Sequence, residues 1–239
     1  MRHICARVLA VVVVAGLLSS PATTTPMTAD SLIDTRGPRP HATYKGLTSS
    51  EWLAVWWQEV FAAPVEAGSH PLIDGGAFGG NNRTFFLGGP VVPAGSPKVT
   101  TRITIPPGTH LVVPIITVEC SVAEAPPFHG EDEAQLRACA NGLLDLVSDP
   151  AAKIDETPVR DPDGYRVETP LFRYGPLPTD NVLGLPPGTQ SDAIAAGYVL
   201  VLPPFSAGVH RISVRADVAA FGLAVDAEVI INVEPPRAR

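Results

Sequence analysis

Three residues whose side chains can do chemistry lie at the ends of one apolar stretch, IPPGTHLVVPIITVEC, residues 105–120. His110 opens the apolar part, and Glu119 and Cys120 close it. Imidazole, carboxylate and thiolate groups bind metals and activate nucleophiles. A strand rises about 3.3 Å per residue, so His110 and Cys120 would lie roughly 33 Å apart. The three side chains therefore do not form one site, and Glu119 is expected on the opposite face from Cys120.

Glu119 belongs to a local group of acidic residues with one histidine. The group consists of Glu119, Glu124, His129, Glu131, Asp132 and Glu133. Two carboxylates held together can act as acid and base in glycoside cleavage, and the same oxygens can bind a cation. The plainer interpretation is a helix N-terminus with solvated acids, where Arg83, Arg102 or Arg173 pairs with a partly buried Glu119. As catalytic candidates the sequence offers Glu119 with His129, or Glu119 with a nearby acid.

A second group of candidates would bind a ligand. These residues are Trp52, Trp56, Asp74, Asn81 and Arg83. The tryptophans form a stripe at helical spacing, which can line a sugar site but more often packs on a sheet. The other three belong to the glycine-rich loop of residues 69–90, where turn formation explains Asp and Asn equally well.

Several catalytic and metal motifs are absent from the sequence. It contains neither the G-x-S-x-G of many serine hydrolases nor the H-E-x-x-H of zinc proteases. Ser206 and His210 are close in sequence, but their turn and strand pattern explains both. We therefore predict no metal and no cofactor. A three-dimensional site from His70, His110 and His129 is the remaining metal alternative.

The first 22 residues have the layout of a secretory signal peptide. A basic segment (Met1–Arg7) precedes eleven apolar residues (Val8–Leu18) and the small residues before the expected cleavage point after Ala22. The apolar run is shorter than the roughly 20 residues that span a bilayer. We expect a secreted protein, or one of the periplasmic or cell-envelope space; the alternative is an uncleaved anchor.

Charge and cysteine content fit this compartment. The net charge of −7 becomes more negative after cleavage, which disfavours nucleic acid and anionic membranes as partners. We expect an unknown ligand, such as a carbohydrate, or an envelope protein. Cys5 leaves with the signal peptide, so Cys120 and Cys139 are expected to form a disulfide. A thiol nucleophile or a metal thiolate is the alternative role for these two residues.

The chain after the signal peptide contains two predicted helices. Residues 23–46 are Thr- and Pro-rich and predict a flexible lead-in. Thr48 and Glu51 form a capping box that starts an amphipathic helix over 49–62. An apolar stripe that follows several acids predicts a second, inserted helix over 131–147.

Strands dominate the rest of the sequence. They are predicted at 84–88, 98–105, 110–120, 197–202, 209–215 and 223–234, with a hairpin at 158–168 turning at Asp161–Gly164. Without repeated β–α alternation, we predict a mainly β fold. This is an antiparallel β-sandwich, immunoglobulin-like or jelly-roll, with one N-terminal amphipathic helix and one inserted helix, in a single domain over 47–239.

Two stretches carry a resemblance to known proteins. LPPFSAGVHRISVRADV resembles the last hairpin of exported immunoglobulin-like modules, which implies that His210 packs or hydrogen-bonds at a corner. The wider order resembles exported bacterial proteins of uncharacterised function: a Trp-rich helix, then FFLGGPV, then IPPGTHLVVPI ending in Glu-Cys, then an acidic helix. This second resemblance supports the fold and the compartment and carries no activity.

Two classes of function remain open. We favour an exported non-catalytic β-sandwich that binds a carbohydrate, a small molecule or an envelope protein, because no catalytic motif is present. The alternative is a secreted hydrolase or lyase of glycoside type that uses Glu119 with His129 or a nearby acid. A cleft that holds Glu119, a second titratable group and an aromatic wall would favour the enzyme. An arginine paired with Glu119 would favour binding or structure.

Overall fold

The N-terminal boundary of the fold differs from the prediction. The structure, a computed structural model, describes residues 43–65, 70–80 and 84–236, so the predicted signal peptide and most of the lead-in lie outside it. Thr43–Tyr44 (β1) pairs antiparallel with Leu47–Thr48 (β2) around Lys45 and Gly46, which both have positive φ. Two central residues with positive φ suit a tight hairpin. Residues 43–46, which the sequence pattern assigned to the lead-in, are thus part of this hairpin.

Helix α1 (Ser49–Ala62) has the predicted bounds. The Glu51 backbone N–H donates to Thr48 Oγ1 at 3.2 Å, and the Thr48 backbone N–H donates to Glu51 Oε2 at 2.8 Å. This capping box satisfies donors that the helix start leaves open. The helix ends before Pro64, because the residue that precedes a proline disfavours the helical conformation.

Two six-stranded sheets contain the remaining strands. The first sheet consists of β3 (Gly76–Phe78), β4 (Thr84–Gly88), β7 (His110–Ser121), β10 (Arg166–Glu168), β11 (Phe172–Tyr174) and β12 (Ser191–Leu202). The second consists of β5 (Val92–Pro93), β6 (Val99–Ile105), β8 (Ser148–Ile154), β9 (Thr157–Pro158), β13 (Gly208–Val218) and β14 (Leu223–Val233). The fold is therefore mainly β, as predicted.

Both sheets are mixed, and the prediction of purely antiparallel pairing is wrong. Strand β4 runs parallel to β7, and β6 runs parallel to β14. Parallel neighbours need a long crossover connection. Between β4 and β7 the chain crosses to the second sheet, forms β5 and β6 there, and returns. Strands β4 and β7 are therefore neighbours in the first sheet although two strands of the second sheet separate them in the chain.

The predicted hairpin at 158–168 does not form. The turn at Asp161 is present, with the Gly164 N–H donating to the Asp161 carbonyl oxygen at 3.1 Å. Its flanking strands, however, belong to different sheets: β9 pairs with β8, and β10 pairs with β12. Each of these short strands adds to a longer neighbour, and the turn connects the two sheets.

Two apolar clusters define the layers. The first contains side chains from both sheets and from helix α2 (Glu133–Leu144), including Ile194, Ile212 and Leu136. The second lies on the other face of the first sheet, where α1 packs with Trp52 and Trp56. Strand β12 is buried along nearly all its length, which explains its continuous apolar sequence.

A disulfide joins α2 to the end of β7. Cys120 and Cys139 are bonded with their Cα atoms 6.2 Å apart, which confirms the predicted pair and excludes the free-thiol alternatives. A disulfide fits an oxidising compartment outside the cytoplasm. Helix α2 is shorter than the predicted 131–147, because the Asp132 side chain caps it by accepting from the Gln135 N–H at 2.9 Å.

Candidate functional site

Glu119 lies on the face of β7 that α1 covers. Strand β7 contains a β-bulge: Tyr198 pairs with Ile116 and Val199 with Pro114, so the intervening residue is unpaired. Because a bulge inserts one residue into the strand, the side chains before it point to the opposite sheet faces from those that regular alternation would give. The alternation expected for a regular strand therefore holds from residue 116 to residue 120 and is reversed before the bulge. In a regular strand Val112 would share a face with Cys120, but it packs in the apolar cluster beneath α1.

The neighbouring elements explain how this face accommodates a carboxyl group. Trp57 Nε1 donates to Thr117 Oγ1 at 3.1 Å, which fixes α1 over this part of β7. Opposite Thr117 on β12 is Gly197, where an added Cβ would lie only 2.7 Å from the Thr117 Cβ. Opposite Glu119 is Ala195. The adjacent strand therefore contributes small side chains and no charge opposite Glu119.

We define the carboxyl cluster as Glu119, Ser121, Glu124 and Tyr174. Ser121 Oγ donates to Glu124 Oε2 at 2.8 Å and lies 3.0 Å from the Tyr174 hydroxyl oxygen. The Tyr174 ring packs on Phe61 of α1, with the centroids 4.5 Å apart. Glu119, Ser121 and Tyr174 are all buried, and Glu124 is half-buried. The cluster thus lies beneath the end of α1.

The carboxyl cluster is electrostatically unusual. Burial raises the pKa of Glu119 well above its ordinary value, and the hydrogen bond with Glu124 and repulsion by its charge act in the same direction. The Ser121 hydroxyl partly offsets this effect. Burial also raises the pKa of Tyr174 to about 12, with both carboxylates adding to the shift. Glu119 is therefore stabilised in its neutral form.

Among the residues that the structure describes, no arginine pairs with Glu119. Glu119 Oε1 is buried without a hydrogen-bond partner, and no salt bridge of the described residues includes Glu119. Of the predicted candidates, Arg173 pairs with Asp192 at 3.6 Å, and Arg83 lies outside the described residues. The second group near Glu119 is instead another acid, Glu124.

His129 is close to β7 in the chain path but is not bonded to Glu119. Ser121 and His129 form an isolated parallel bridge, and the Ser121 N–H donates to the Phe128 carbonyl oxygen at 3.0 Å. His129 Nδ1 is buried without a partner. Within the described part of the chain, no hydrogen bond joins His129 to Glu119. Glu124, rather than His129, is the neighbouring group that raises the pKa of Glu119.

Three of the predicted ligand-binding residues, Trp52, Trp56 and Asp74, make contacts within the protein. Trp52 and Trp56 are buried, and their Nε1 atoms donate to the carbonyl oxygens of Tyr44 at 3.0 Å and Leu87 at 2.9 Å. These contacts fit the core interpretation of the tryptophan stripe. Asp74 Oδ2 accepts from the backbone N–H of buried His70 at 2.9 Å, so it stabilises a turn. The predicted residues Asn81 and Arg83 lie outside the described part of the structure.

His210 lies in an arrangement that resembles a serine–histidine–aspartate triad. Its Nδ1 is 2.7 Å from Asp155 Oδ2, and its Nε2 is 3.4 Å from Ser206 Oγ. Nε2 is closer, at 3.0 Å, to the Ser206 carbonyl oxygen, which only accepts hydrogen bonds. A nitrogen that donates to a carbonyl cannot take the serine proton. His210 also stacks on Phe205, as expected for a corner residue.

A depression of about 300 Å³ lies on the charged face of the second sheet. We define the charged depression by its ionic side chains, which are Lys98, Lys153, Glu156, Arg215, Asp226 and Glu228. Ser213 is paired with Lys153 on one side and with Glu228 on the other, and Arg215 is paired with Ala151. Small side chains at the centre and long ones around them produce the concave shape.

Sequence patterns contained a signal for this depression. The alternation along 209–215 and 223–234 already placed Arg215, Asp226 and Glu228 on the polar faces of two strands. It did not show that β13 and β14 pair in the register that brings these residues together, with β8 as the third strand. The sequence therefore indicated that these charged side chains share the polar faces of their strands, but not that they lie together around one depression.

Three further observations concern relatives, metal sites and membrane-spanning helices. Comparisons with protein-family models, with curated proteins and with solved structures found no match to this chain. Among the described residues, no group of three or more His, Cys, Asp or Glu side chains is placed to hold a metal, which removes the site considered for His70, His110 and His129. None of the helices in the described ranges has the length and apolarity needed to cross a membrane.

Proposed function

We propose that this chain is an exported, non-catalytic β-sandwich protein that binds a small polar molecule in the charged depression. The observation that carries this proposal is a concave surface of about 300 Å³ with cationic and anionic side chains on paired strands. Ligand sites begin at about this volume. A site built on strands holds its side chains more rigidly than a loop does. The apolar cluster shared by the two sheets supports the sandwich.

The chemistry of the depression favours a ligand with both donors and acceptors. Lys98 lies 3.9 Å from Asp226, and Arg211 lies 3.1 Å from Glu228, in pairs that are partly exposed. Exposed pairs of this kind contribute about 0–1 kcal/mol, so a ligand can replace them at little cost. The residues that line the depression are not aromatic, and recognition would therefore depend on hydrogen bonds and charge. Amino sugars and other zwitterionic or polyhydroxylated molecules have the matching groups.

Compartment and partner class follow from separate features. The disulfide and the signal-like N-terminus support export to the secreted, periplasmic or cell-envelope space. The acidic net charge of −7 argues against nucleic acid as a partner. The polar ligand would then be a component of the cell envelope or of the external medium.

A thermal-shift screen tests the proposal. The purified protein is tested with neutral, amino and acidic sugars and with amino acids. Compounds that raise Tm are then tested on the double variant Lys153→Glu/Arg215→Glu, which should lose the shift. Arg173→Glu is the matched control, because Arg173 is an exposed arginine of the first sheet. A shift that survives in the double variant would place the site elsewhere. A panel without any effective compound would contradict the small-ligand proposal and favour an envelope protein.

The alternative of a glycoside hydrolase rests on the carboxyl cluster. The coupling of Glu119 to Glu124 provides the two carboxyl groups, and Tyr174 provides an aromatic neighbour. An acid that protonates a glycosidic oxygen must, however, contact the substrate. Glu119 is only 4% exposed and Tyr174 only 1% exposed. We therefore favour the binding function.

A further inference from the structure

Glu119 has an oxygen without a bonding partner in the protein interior. Its Oε1 makes no hydrogen bond with the described residues, although the side chain is 96% removed from solvent, with 4% remaining exposed. Leaving a buried polar atom unpaired is costly, and an interior carboxylate normally has a cation or several donors beside it. This atom therefore indicates a missing partner.

The side chains that interact with the Glu119 carboxyl group also carry oxygen atoms. The Glu119 carboxyl interacts with the Glu124 carboxyl and with the Ser121 hydroxyl, and Ser121 Oγ lies 3.0 Å from the Tyr174 hydroxyl oxygen. The backbone positions are fixed as well. The disulfide of Cys120, between Glu119 and Ser121 in sequence, anchors this end of β7 to α2. The end of β7 that the disulfide anchors thus brings together two carboxyl groups and the Ser121 hydroxyl, to which the Tyr174 hydroxyl is hydrogen-bonded.

We propose that the carboxyl cluster binds one hard divalent cation, of which Ca²⁺ is the best match. Glu119 and Glu124 would supply carboxylate oxygens, with the hydroxyls of Ser121 and Tyr174 as neutral ligands. Calcium accepts six to eight oxygen ligands in flexible geometry, mainly carboxylates, carbonyls and water. A hydroxyl oxygen has lone pairs of the same hard type. The half-buried Glu124 provides a path to solvent for the ion and for its remaining waters.

The donor set excludes softer metals. Zinc and copper sites use imidazole and thiolate ligands. Cys120 is held in the disulfide, and the described residues contain no metal-spaced group of three His, Cys, Asp or Glu side chains. With only two carboxylates, the affinity should resemble that of weak extracellular calcium modules, with dissociation constants of about 0.1–1 mM.

Calcium titration of the purified protein tests this proposal. Isothermal titration calorimetry with CaCl₂, after dialysis against EDTA and then buffer, should show one ion per chain. At about ten times the dissociation constant, Tm should rise by about 2–6 °C. Glu119→Gln and Glu124→Gln should each lose the heat and the Tm shift. Both variants retain a side chain of the same shape, and circular dichroism confirms that they fold.

Glu131→Gln is the matched control, because it removes an exposed acid near the start of α2. Its calcium titration should equal that of the wild type. Absence of binding by the wild type with Ca²⁺, Mg²⁺ and Mn²⁺ would overturn the proposal. Binding that persists in Glu119→Gln and Glu124→Gln would overturn it equally, since the ion would then lie at other acids. Neither result bears on the charged depression, which is tested by its own variants.

Discussion

Glu119 and Glu124 lie close together at the end of β7, where Ser121, two residues after Glu119 on the same strand, donates from its Oγ to Glu124 Oε2 at 2.8 Å. The two acids differ in exposure: Glu119 is buried under α1, and Glu124 reaches solvent. An arginine beside Glu119 would have made it an ordinary structural ion pair. With Glu124 beside it, the buried Glu119 instead makes the stability of the folded protein depend on whether Glu119 is ionised.

Ionisation of Glu119 should destabilise the folded protein as the pH rises. The pKa of Glu119 is raised in the folded state and is close to the ordinary 4.5 in the unfolded state. Above about pH 4.5 the unfolded chain releases a proton that the folded chain retains, so the free energy of unfolding falls by about 1.4 kcal/mol per pH unit. The fall ends at the folded-state pKa. Glu119→Gln removes this fall and should therefore be more stable than the wild type at pH 7.

The measurement is urea unfolding in EDTA between pH 4 and pH 8, as a difference between variant and wild type. Burial lowers the pKa values of His70 and His110, which reduces the stability of variant and wild type alike below about pH 6.5. Because this effect is common to both proteins, the difference between them isolates the contribution of Glu119. Glu131→Gln should show no pH-dependent difference. Equal stability of Glu119→Gln and wild type at every pH would show that Glu119 is already paired.

The disulfide should contribute measurably to stability. Cys120 and Cys139 are 19 residues apart, and closing a loop of this size contributes about 3 kcal/mol in the chain-entropy model. The double variant Cys120→Ala/Cys139→Ser should lose roughly this amount in urea unfolding at pH 7. Dithiothreitol should destabilise the wild type and leave the double variant unchanged. An unchanged wild type in dithiothreitol would show that the pair is not bonded in solution.

His210 should act in stability and not in catalysis. His210→Ala removes the partner of Asp155 and of the Ser206 carbonyl, at a cost of about 1–3 kcal/mol in urea unfolding. Ser206→Ala removes only a hydroxyl at 3.4 Å and should change stability by less than about 0.5 kcal/mol. Both variants should match wild type in hydrolysis of p-nitrophenyl acetate. Loss of an esterase activity in both would identify a catalytic triad.

Chromogenic substrates distinguish the binding function from the glycosidase alternative. Because Glu119 and Tyr174 are buried, we expect no hydrolysis of p-nitrophenyl glycosides above the buffer rate between pH 4 and pH 8. Glu119→Gln and Glu124→Gln serve as the controls. Turnover by the wild type that both substitutions reduce by about 100-fold or more would establish general acid–base catalysis at the carboxyl cluster.

Local patterns predicted much of the fold. The capping box at Thr48 and Glu51 located α1 to the residue, because its bonds are formed within four residues. Alternation along 223–234 predicted the buried face of β14, since a half-buried strand has period two. The pairing of Cys120 with Cys139 was predictable because only these two cysteines follow the predicted signal peptide.

Features that depend on pairing between strands distant in sequence could not be predicted. No sequence feature near Pro114 indicates that Ile115 has no pairing partner on β12, because the bulge depends on the register between the two strands. The parallel pairing of β4 with β7 depends on a crossover through the second sheet. The same difficulty affected the sites. Glu124 was one of several nearby acids, and only the folded loop selects it over His129 as the group coupled to Glu119.

The most direct test of the proposed binding function is NMR mapping of a sugar or amino acid that raises Tm. Titration into ¹⁵N-labelled protein should perturb the backbone amides of β8, β13 and β14 around Lys153, Ser213, Arg215 and Glu228. The amides of Glu119, Ser121 and Tyr174 on the first sheet should remain unchanged. Perturbations that instead centre on the carboxyl cluster, with β13 and β14 unaffected, would contradict the account.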